Sequence, residues 1–451
     1  MPSLRVGLAR LVRAAIRLAG RGGTTAPGRL LLRLDRRAIG RLGRRLGGGV
    51  ALISATNGKT TTASMLATVL ERDGRAVVRN RAGSNMHWGV ATALLDAGRG
   101  PDELGLFEVD EAWLAPVAAD LDPGTVILSN LFRDQLDRYG ELELLADRWA
   151  DLAASLGERA RLVLNADDPL VADLGRDRDA VTYFGVSDDS LALPELQHAA
   201  DSKHCRNCGT AYAYEAIYMG HLGRYRCPGC GRERPRPHVC AERVALRGMS
   251  GSEIDLRTPE GPISIRLPLP GLYNVYNALA AAAAAISLGV PPSAVRSGLE
   301  GMSAVFGRVE RLSVDGREVS ILLVKNPAGA NEVLRTLTLE QDRLDLWIAL
   351  NDRIADGRDV SWVWDADFEL LAGRVRRVVC SGTRAEEMAL RLKYAGIDAP
   401  IAVDRDLGDS LDAAVADRDG GAPLYALPTY TALLELRDLL ARRGVARGWA
   451  E

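Results

Sequence analysis

The segment best suited to chemistry is a loop of nine residues between an apolar run and a helical pattern. Residues 50–53 predict a strand, the helical pattern extends to Asp73, and the loop, residues 54–62, reads Ser-Ala-Thr-Asn-Gly-Lys-Thr-Thr-Thr. A strand that passes through such a loop into a helix N-terminus surrounds an anion with backbone N–H groups. Lys59 would neutralise the β- and γ-phosphates of a nucleotide, and the Thr60 hydroxyl would bind Mg²⁺. The residues expected to hold the nucleotide are Asn57, Gly58, Lys59, Thr60 and Thr61.

Two features of the sequence bear on this nucleotide site. Ile53 stands where the general phosphate-loop pattern has its first glycine, so a glycine turn with an incidental lysine is the alternative. Only four of the 57 basic residues are lysines, however, and Lys59 is one of them. The retention of a lysine at this position favours phosphate binding.

Acidic residues follow a second apolar run. Residues 104–109 predict a strand, and the sequence Phe-Glu-Val-Asp-Glu at its end includes Glu108, Asp110 and Glu111. A carboxylate at a strand end beside the phosphate loop would reach Mg²⁺, and we expect Glu108 to do so. The alternative is a strand end whose acids are only solvated.

Four of the six cysteines form two closely spaced pairs. Cys205-x2-Cys208 and Cys227-x2-Cys230 are separated by 18 residues, and a glycine follows each pair. Two such knuckles present four thiolates tetrahedrally, which predicts a structural zinc ribbon, with a redox pair as the alternative. This cysteine usage indicates a reducing compartment, the cytoplasm. The remaining two, Cys240 and Cys380, are expected to be small core residues.

Length and charge narrow the class of protein. The chain has 451 residues, 47% of them hydrophobic, and a formal net charge of −2, which suits two or three domains and excludes a generally basic, DNA-binding surface. No apolar run approaches the roughly 18 to 20 residues of a membrane-spanning helix, and nothing resembles a cleaved signal peptide. Arginines recur at helical spacings in residues 1–49, which predicts a basic helical arm that packs on the next domain, with contact to anionic lipid headgroups as the alternative.

Short apolar runs alternate with helical patterns in two regions, which predicts an α/β fold with mainly parallel sheets. The expected division is a basic helical segment (1–49), a nucleotide-binding domain (50–311) with the cysteine module inserted at 201–240, and a second α/β domain (312–451). Residues 24–28 are expected to break the helical pattern of the first segment.

The sequence Thr-Asn-Gly-Lys-Thr-Thr-Thr resembles the nucleotide signature of the Mur ligases and folylpolyglutamate synthases. Other segments resemble Mur ligase segments in the same order, namely residues 129–140, 165–168, 272–278, 307–308 and 325–327. Gln135, Tyr139 and Lys325 stand where that family has histidine. The resemblance implies a central ATP-binding P-loop domain and a C-terminal Rossmann-like domain, with Mg²⁺ on Thr60 and Glu108. It also implies that Asn274 and Arg308 lie at the nucleotide.

The resemblance narrows to the MurT family. The phosphate loop begins at residue 54, so the preceding UDP-binding domain of ordinary Mur ligases is missing, and the segments 350–365 and 381–387 add to the match. The MurT resemblance implies the ligase subunit of a lipid II isoglutaminyl synthase. It would amidate the α-carboxylate of D-Glu in the lipid II stem peptide through an acyl phosphate, at the inner face of the membrane. Lys59 and Glu108 would be catalytic.

Ammonia would come from a GatD-like glutamine amidotransferase subunit, because neither spare cysteine lies in a Gly-x-Cys-x-Gly elbow. Asp356 would orient that subunit's catalytic histidine, with Asp352, Asp359 and Asp365 as rivals, or these acids only solvate a loop. Two residues are candidates to meet the acceptor, Asn85 and His87, although a loop histidine is more often structural.

Two other functions remain open from the sequence. One is a Mur or folylpolyglutamate-type ligase that adds an amino acid, which the missing UDP domain, the replaced histidines and the cysteine insertion disfavour. The other is a zinc-ribbon nucleotide-binding module that acts on nucleic acid, which the net charge disfavours.

Overall fold

The computed structural model describes residues 4–18, 25–80, 84–98, 100, 102–134, 142–302, 308–416 and 422–446. Within these ranges, no helix combines the length and the apolar character needed to cross a membrane. The described strands form two large sheets and one small sheet.

The elements are numbered in chain order. The strands are β1 Val50–Ser54, β2 Val77–Arg79, β3 Leu104–Glu108, β4 Thr125–Leu128, β5 Arg161–Asn165, β6 Val181–Val186, β7 Ala213–Met219, β8 Leu222–Arg226, β9 Val239–Leu246, β10 Ser252–Thr258, β11 Gly261–Leu267, β12 Arg308–Val314, β13 Arg317–Leu322, β14 Leu344–Ala349, β15 Val375–Ser381, β16 Ile401–Val403 and β17 Leu424–Pro428. The helices are α1 Leu4–Leu18, α2 Ala26–Leu34, α3 Ala38–Gly43, α4 Lys59–Arg72, α5 His87–Ala93, α6 Leu114–Leu121, α7 Leu142–Ser155, α8 Pro169–Ala172, α9 Leu272–Ser287, α10 Pro292–Glu300, α11 Pro327–Leu337, α12 Ala385–Tyr394, α13 Leu407–Ala416 and α14 Tyr430–Arg442.

The N-terminal helices pack on the larger sheet through a shared apolar core, in which Leu31 and Leu42 are fully buried. Gly28 lies in the first turn of α2, where an added Cβ would overlap the carbonyl oxygen of Trp88. The prediction that residues 24–28 break the helical pattern is therefore wrong for residues 26–28. Helix α2 already begins at Ala26, and Pro27 occupies its first turn, a position that tolerates proline.

The larger sheet carries the nucleotide loop and has nine strands, in the order β11-β10-β9-β6-β5-β4-β1-β3-β2. The pairs from β2 to β6, and β6 with β9, are parallel, whereas β9, β10 and β11 pair antiparallel. Alternate residues of β1 enter two cores: Ala51 and Ile53 pack with α4 and α9, and Leu52 packs with the N-terminal helices. The sheet is buried on both faces, as a continuous apolar run in a parallel sheet predicts.

The cysteine module lies between β6 and β9. Its strands β7 and β8 pair antiparallel, and a bridge between Leu193 and Ile217 ties β7 to the preceding segment. Strand β9 begins at Val239 and already belongs to the larger sheet, so residues 239–240 of the expected insertion lie in that sheet.

The second large sheet has six strands in the order β12-β13-β17-β14-β15-β16. Only β12 and β13 pair antiparallel, and the other pairs are parallel. Strand β12 begins at Arg308, so this sheet starts slightly before the division expected at residue 312. The prediction of an α/β fold with mainly parallel sheets is confirmed.

Candidate active site

The loop between β1 and α4 is held by the segment that follows β4. The backbone N–H of Thr56 donates to the carbonyl oxygen of Asn130 at 3.0 Å, and that of Asn57 donates to Asn130 Oδ1 at 2.9 Å. Asn130 Nδ2 returns a hydrogen bond to the carbonyl oxygen of Asn57 at 3.0 Å. Because both segments leave the carboxyl ends of neighbouring parallel strands, the sheet fixes the position of the loop.

Gly58 allows the loop to turn tightly against α9. Its φ of 88° lies in the left-handed region, and an added Cβ would stand inside contact distance of Asn277 Oδ1. The Asn277 side chain accepts a hydrogen bond from Thr62 at 3.2 Å and donates one to Asn274 Oδ1 at 3.1 Å. Asn274 Nδ2 in turn donates to the carbonyl oxygen of Pro270 at 2.7 Å. The expected nucleotide residue Asn274 therefore supports the loop through Asn277.

We expect Gly58→Ala to weaken Mg·ATP binding about tenfold or more and to lower the free energy of unfolding by about 1–2 kcal/mol. Strain at positive φ and the collision with Asn277 both contribute. Gly74→Ala is the matched control, because Gly74 has a φ of 80° but nothing within 4 Å of an added Cβ. Calorimetric titration with a non-hydrolysable ATP analogue and thermal unfolding measure the two effects. Equal nucleotide affinity in both variants would contradict the role given to this contact.

Lys59 is buried, and a carboxylate keeps it charged. Its Nζ lies 2.8 Å from Glu111 Oε2 and also donates to the carbonyl oxygens of Ala55 and, at 3.5 Å, Thr56. Burial disfavours the ammonium form, but the carboxylates of Glu111 and Asp110 outweigh burial, so the pKa of Lys59 is raised above its usual value. The loop therefore carries a fixed positive charge where phosphate oxygens would be bound.

Thr60 and Glu108 form a pair of oxygen ligands beside this charge. The Thr60 hydroxyl donates to Glu108 Oε1 at 2.9 Å, and only 4% of the Glu108 surface is exposed. Asn80 fixes the backbone of Glu108 from both sides, since its Oδ1 accepts from the Glu108 N–H at 3.0 Å and its Nδ2 donates to the Glu108 carbonyl at 2.8 Å. A hydroxyl and a carboxylate are ligands that suit Mg²⁺.

The second sheet contributes residues to the same site. Asn326, at the N-terminus of α11, donates through Nδ2 to Asn57 Oδ1 at 3.0 Å. Lys325 forms an ion pair with Asp134. A pocket lies between the two halves and is lined on one side by Asn57, Gly58 and Thr61 and on the other by Leu322, Lys325 and Val333. A nucleotide in the phosphate loop would therefore adjoin both parts of the chain.

Asp356 lies elsewhere, at the N-terminus of α14. Its Oδ1 accepts from the backbone N–H of Thr431 at 2.7 Å, its Oδ2 accepts from the Thr431 hydroxyl, and only 6% of the residue is exposed. Burial raises the pKa of Asp356, although the hydrogen bonds from Thr431 oppose this rise. The rivals Asp352 and Asp359 are more exposed, and Asp352 pairs with Arg384.

The two candidates for contact with an acceptor lie near the acidic strand end. The Asn85 carbonyl accepts from the Asp110 N–H at 2.9 Å. His87 Nε2 lies 2.8 Å from Asp120 Oδ2, and its ring stacks on Trp113 with centroids 5.8 Å apart. His87 therefore has a structural partner on each side.

The four paired cysteines converge. Their Sγ atoms all lie within 4.8 Å of one another, with Cys205 and Cys230 at 3.6 Å and Cys208 and Cys227 at 3.4 Å. Tetrahedral coordination with metal–sulfur bonds of about 2.3 Å requires sulfurs about 3.8 Å apart. The four thiolates can therefore hold a metal ion of this kind. Cys240 and Cys380 are buried outside this cluster.

The structure brings most of the residues expected at the nucleotide together, namely Asn57, Gly58, Lys59, Thr60, Thr61, Glu108 and Asn274. The side chain of Arg308 and the replaced positions Gln135 and Tyr139 lie outside the described residues. Sequence reasoning did not assign roles to Glu111, Asn80 or Asn277. Asn80 directly follows β2, Glu111 lies three residues after β3, and Asn277 lies in the second turn of α9, and none of these positions carries a distinctive sequence signal.

Comparisons with known proteins cover both halves of the chain. The Mur ligase middle domain matches residues 53–227, and the MurT ligase C-terminal family matches residues 323–433. The chain is 32% identical over 444 residues to "Lipid II isoglutaminyl synthase (glutamine-hydrolyzing) subunit MurT" of Staphylococcus aureus (strain N315), with 97% of each chain covered. It is 31% identical to the protein of the same name from Streptococcus pneumoniae, with 94% of each covered.

The fold is also that of a solved ligase. A pseudomurein peptide ligase type C from Methanothermus fervidus superposes with a TM-score of 0.67 at 23% identity, covering 88% of this chain and 79% of the other. The family models match both the half with the phosphate loop and the half with the second sheet, and the relatives match nearly the whole length. The chain therefore belongs to the MurT family of the Mur ligases.

Proposed function

We propose that this protein is the ligase subunit of a lipid II isoglutaminyl synthase, which amidates the α-carboxylate of D-Glu in the stem peptide of lipid II. The observation that carries the proposal is the convergence of Lys59, Thr60 and Glu108 at a phosphate loop in a member of the MurT family. The similar proteins from Staphylococcus aureus and Streptococcus pneumoniae bear this activity in their names.

The Mur ligases use ATP and Mg²⁺, and the residues present suit both. The left-handed turn at Gly58 and the N-terminus of α4 direct backbone N–H groups to phosphate, and Lys59 supplies a buried positive charge. Thr60 and Glu108 would hold Mg²⁺, which supplies charge neutralisation on the phosphates.

A carboxylate does not react with ammonia until one of its oxygens becomes a good leaving group. In the first proposed step, a carboxylate oxygen of D-Glu attacks the γ-phosphorus and the bond to ADP breaks, which gives an acyl phosphate. In the second, ammonia attacks the acyl carbon, phosphate leaves, and the nitrogen loses a proton to give the amide. Lys59 would stabilise the charge on the transferred phosphoryl group during the first step.

Ammonia would come from a GatD-like glutamine amidotransferase subunit. Four of the six cysteines form a cluster that can hold a metal ion, and the other two are poor nucleophiles because burial raises the pKa of the Cys240 thiol and raises that of Cys380 to about 12. A glutaminase thiol must therefore be supplied by another chain, as the words "glutamine-hydrolyzing" and "subunit" in the relatives' name suggest. We propose that the protein acts in the cytoplasm, at the inner membrane face where lipid II is exposed.

We further propose that the metal in the four-cysteine cluster is zinc with a structural role, because all four positions are filled by protein thiolates. The cluster would then take no part in the chemistry.

We propose that Asp356 serves the glutaminase rather than the ligase reaction. Asp356→Asn is expected to lower glutamine-dependent amidation about 100-fold or more while ammonium-dependent amidation stays within about twofold, because an acid that orients a histidine matters only to glutamine hydrolysis. Asp359→Asn, on an exposed acid nearby, is the matched control. The measurement compares both nitrogen sources with the partner present. An equal loss with both sources would mean that the Thr431 hydrogen bonds make Asp356 purely structural.

The decisive experiment is an amidation assay on purified lipid II with ATP, Mg²⁺ and an ammonium salt, then with glutamine and the partner. Mass spectrometry would show the amide as a one-dalton decrease if the proposal is correct. ADP release that depends on an added amino acid, with that amino acid joined to the product, would instead identify an amino-acid-adding ligase. No product under any of these conditions would refute the proposed function.

A further inference from the structure

Among the residues that the structure describes, helix α1 packs on the protein through one face. Val6 and Ala9 are fully buried, and Arg10 donates to the carbonyl oxygen of Leu95 at 2.6–2.9 Å. Arg13 adds an ion pair with Asp96 at 2.8 Å. These contacts fix the rotation of the helix about its axis, and so determine which residues face outwards.

A row of leucines lies on the outer face. Leu4, Leu8 and Leu11 are 94%, 46% and 70% exposed, and their spacing of four and then three residues aligns them along the helix. A single exposed leucine needs no explanation, but an aligned row of three marks an interaction surface. No other described helix exposes three large apolar side chains at this spacing.

The N-terminal segment that carries this row is strongly basic. Residues 1–49 contain twelve arginines and one acidic residue, a net charge of +11 in a chain whose formal net charge is −2. Within the described part of this segment, the exposed arginines are Arg5, Arg10, Arg29, Arg33, Arg36, Arg37, Arg44 and Arg45. The rest of the molecule is acidic, so attraction to an anionic partner is concentrated at this end.

We propose that α1 docks in the plane of an anionic lipid bilayer, with Leu4, Leu8 and Leu11 inserted at the boundary of headgroups and acyl chains. The exposed arginines of the same segment would bind lipid phosphates. Leucines beside arginines match an interfacial helix, whereas nucleic acid would use the arginines and leave the leucine row in water. The 15 residues of α1 rise about 22 Å, less than the roughly 30 Å hydrocarbon core, so the helix lies on the bilayer and does not cross it.

The N-terminal helices are connected to the active site through α2 and α5. Helix α2 lies against α5, where the Gly28 N–H donates to the Thr92 hydroxyl at 2.9 Å and the Arg29 guanidinium lies 4.7 Å from the Trp88 ring centroid. Helix α5 begins at His87, just after Asn85, which contacts the acidic strand end. Docking would bring this side of the site towards a lipid-linked acceptor, a step that rests on the proposed function. The docking itself does not.

The test is sedimentation of the full-length chain with vesicles, without ATP or lipid II. Wild type should bind vesicles of phosphatidylglycerol and phosphatidylcholine, and bind about tenfold more weakly to phosphatidylcholine alone or in high salt. The triple variant Leu4→Ser, Leu8→Ser, Leu11→Ser should bind the anionic vesicles about tenfold or more weakly. Circular dichroism and thermal unfolding should match wild type, because none of the three side chains is buried.

A matched control removes three exposed leucines elsewhere, with Leu144→Ser, Leu339→Ser and Leu390→Ser, which are 52%, 46% and 48% exposed. This control should bind vesicles as wild type does. Undiminished binding by the α1 variant, or no binding by wild type, would overturn the proposal. The proposal would also be overturned if single-stranded RNA displaced the vesicles and bound the α1 variant as tightly as wild type. A third contradicting result would be a wild-type dimer that the α1 substitutions dissociate while vesicle binding stays unchanged. Amidation of a water-soluble acceptor analogue is measured separately, so failure of docking is distinguishable from failure of the ligase reaction.

Discussion

Replacement of Lys59 by alanine is expected to reduce ATP-dependent amide formation about 10²- to 10³-fold, the loss typical of removing one preorganised group from a developing charge. Lys59 is the cation at the centre of the loop, and the carboxylates of Glu111 and Asp110 raise its pKa, so it remains protonated throughout the working pH range. The measurement is the steady-state rate of ADP release with lipid II and ammonium. Mg·ATP affinity should fall as well, because the same charge binds the ground state.

A loss of folding must be separated from a loss of catalysis, because Lys59→Ala leaves the Glu111 carboxylate buried without its cation. The double variant Lys59→Ala, Glu111→Gln removes both charges and should recover much of the lost stability while remaining inactive. Lys393→Ala is the control for removing an exposed lysine and should retain full activity. Near-normal activity in a folded Lys59 variant would reject the assigned role of the loop.

The phosphate loop was predictable because its signal is local. A strand, a glycine-containing turn and a helix start follow one another in the chain, and the structure places them as β1, the turn at Gly58 and α4. Strands β1 and β3 were found for the same reason, since a continuous apolar run bounded by turn residues describes a strand covered on both faces. The cysteine cluster was predictable because the spacing within each cysteine pair and between the two pairs is typical of a zinc site.

The residues that brace the site could not be predicted, because their partners are distant in sequence. Asn277 contacts Thr62 across 215 residues, and Asn326 contacts Asn57 across 269 residues. Nothing in the local pattern of an asparagine reveals which loop it will meet. Strands β6 and β9 were also missed. Gly185 weakens the strand pattern of β6, and Glu242 and Arg243 interrupt the apolar pattern of β9, which follows directly on the cysteine-rich module.

The cysteine module is connected to the nucleotide loop through a short chain of contacts. Tyr214, which packs against the core around Cys227, donates its hydroxyl hydrogen to the carbonyl oxygen of His221 at 3.0 Å. The fully buried His221 ring lies 4.6 Å from that of Phe132, measured between centroids. The Phe132 N–H donates to Thr56 Oγ1 at 3.0 Å, and this hydroxyl returns a hydrogen bond to the Phe132 carbonyl at 3.2 Å. The tip of the β7–β8 hairpin therefore supports the phosphate loop from behind.

Removal of the metal is accordingly expected to lower stability by several kcal/mol and to weaken Mg·ATP binding about tenfold, although the cysteines do not touch the nucleotide. Without the metal, the four cysteines become protonated and lose the metal–sulfur bonds that join the two pairs. Loosening of the hairpin would then withdraw His221 from Phe132 and so free Thr56. Phenanthroline would remove the metal and be dialysed away before titration, since EDTA would also bind Mg²⁺. Added zinc should restore both quantities.

Cys227→Ser should reproduce the effects of metal removal, because Cys227 is a fully buried member of the cluster. Cys380→Ala is the matched control, a buried cysteine in the second sheet that should alter stability modestly and leave metal content unchanged. Metal content by mass spectrometry, thermal unfolding and calorimetric nucleotide titration together test the connection. If metal-free protein binds nucleotide as tightly as the loaded form, the hairpin contact with Phe132 does not position the loop. If stability is also unchanged, the four-cysteine cluster has no structural role.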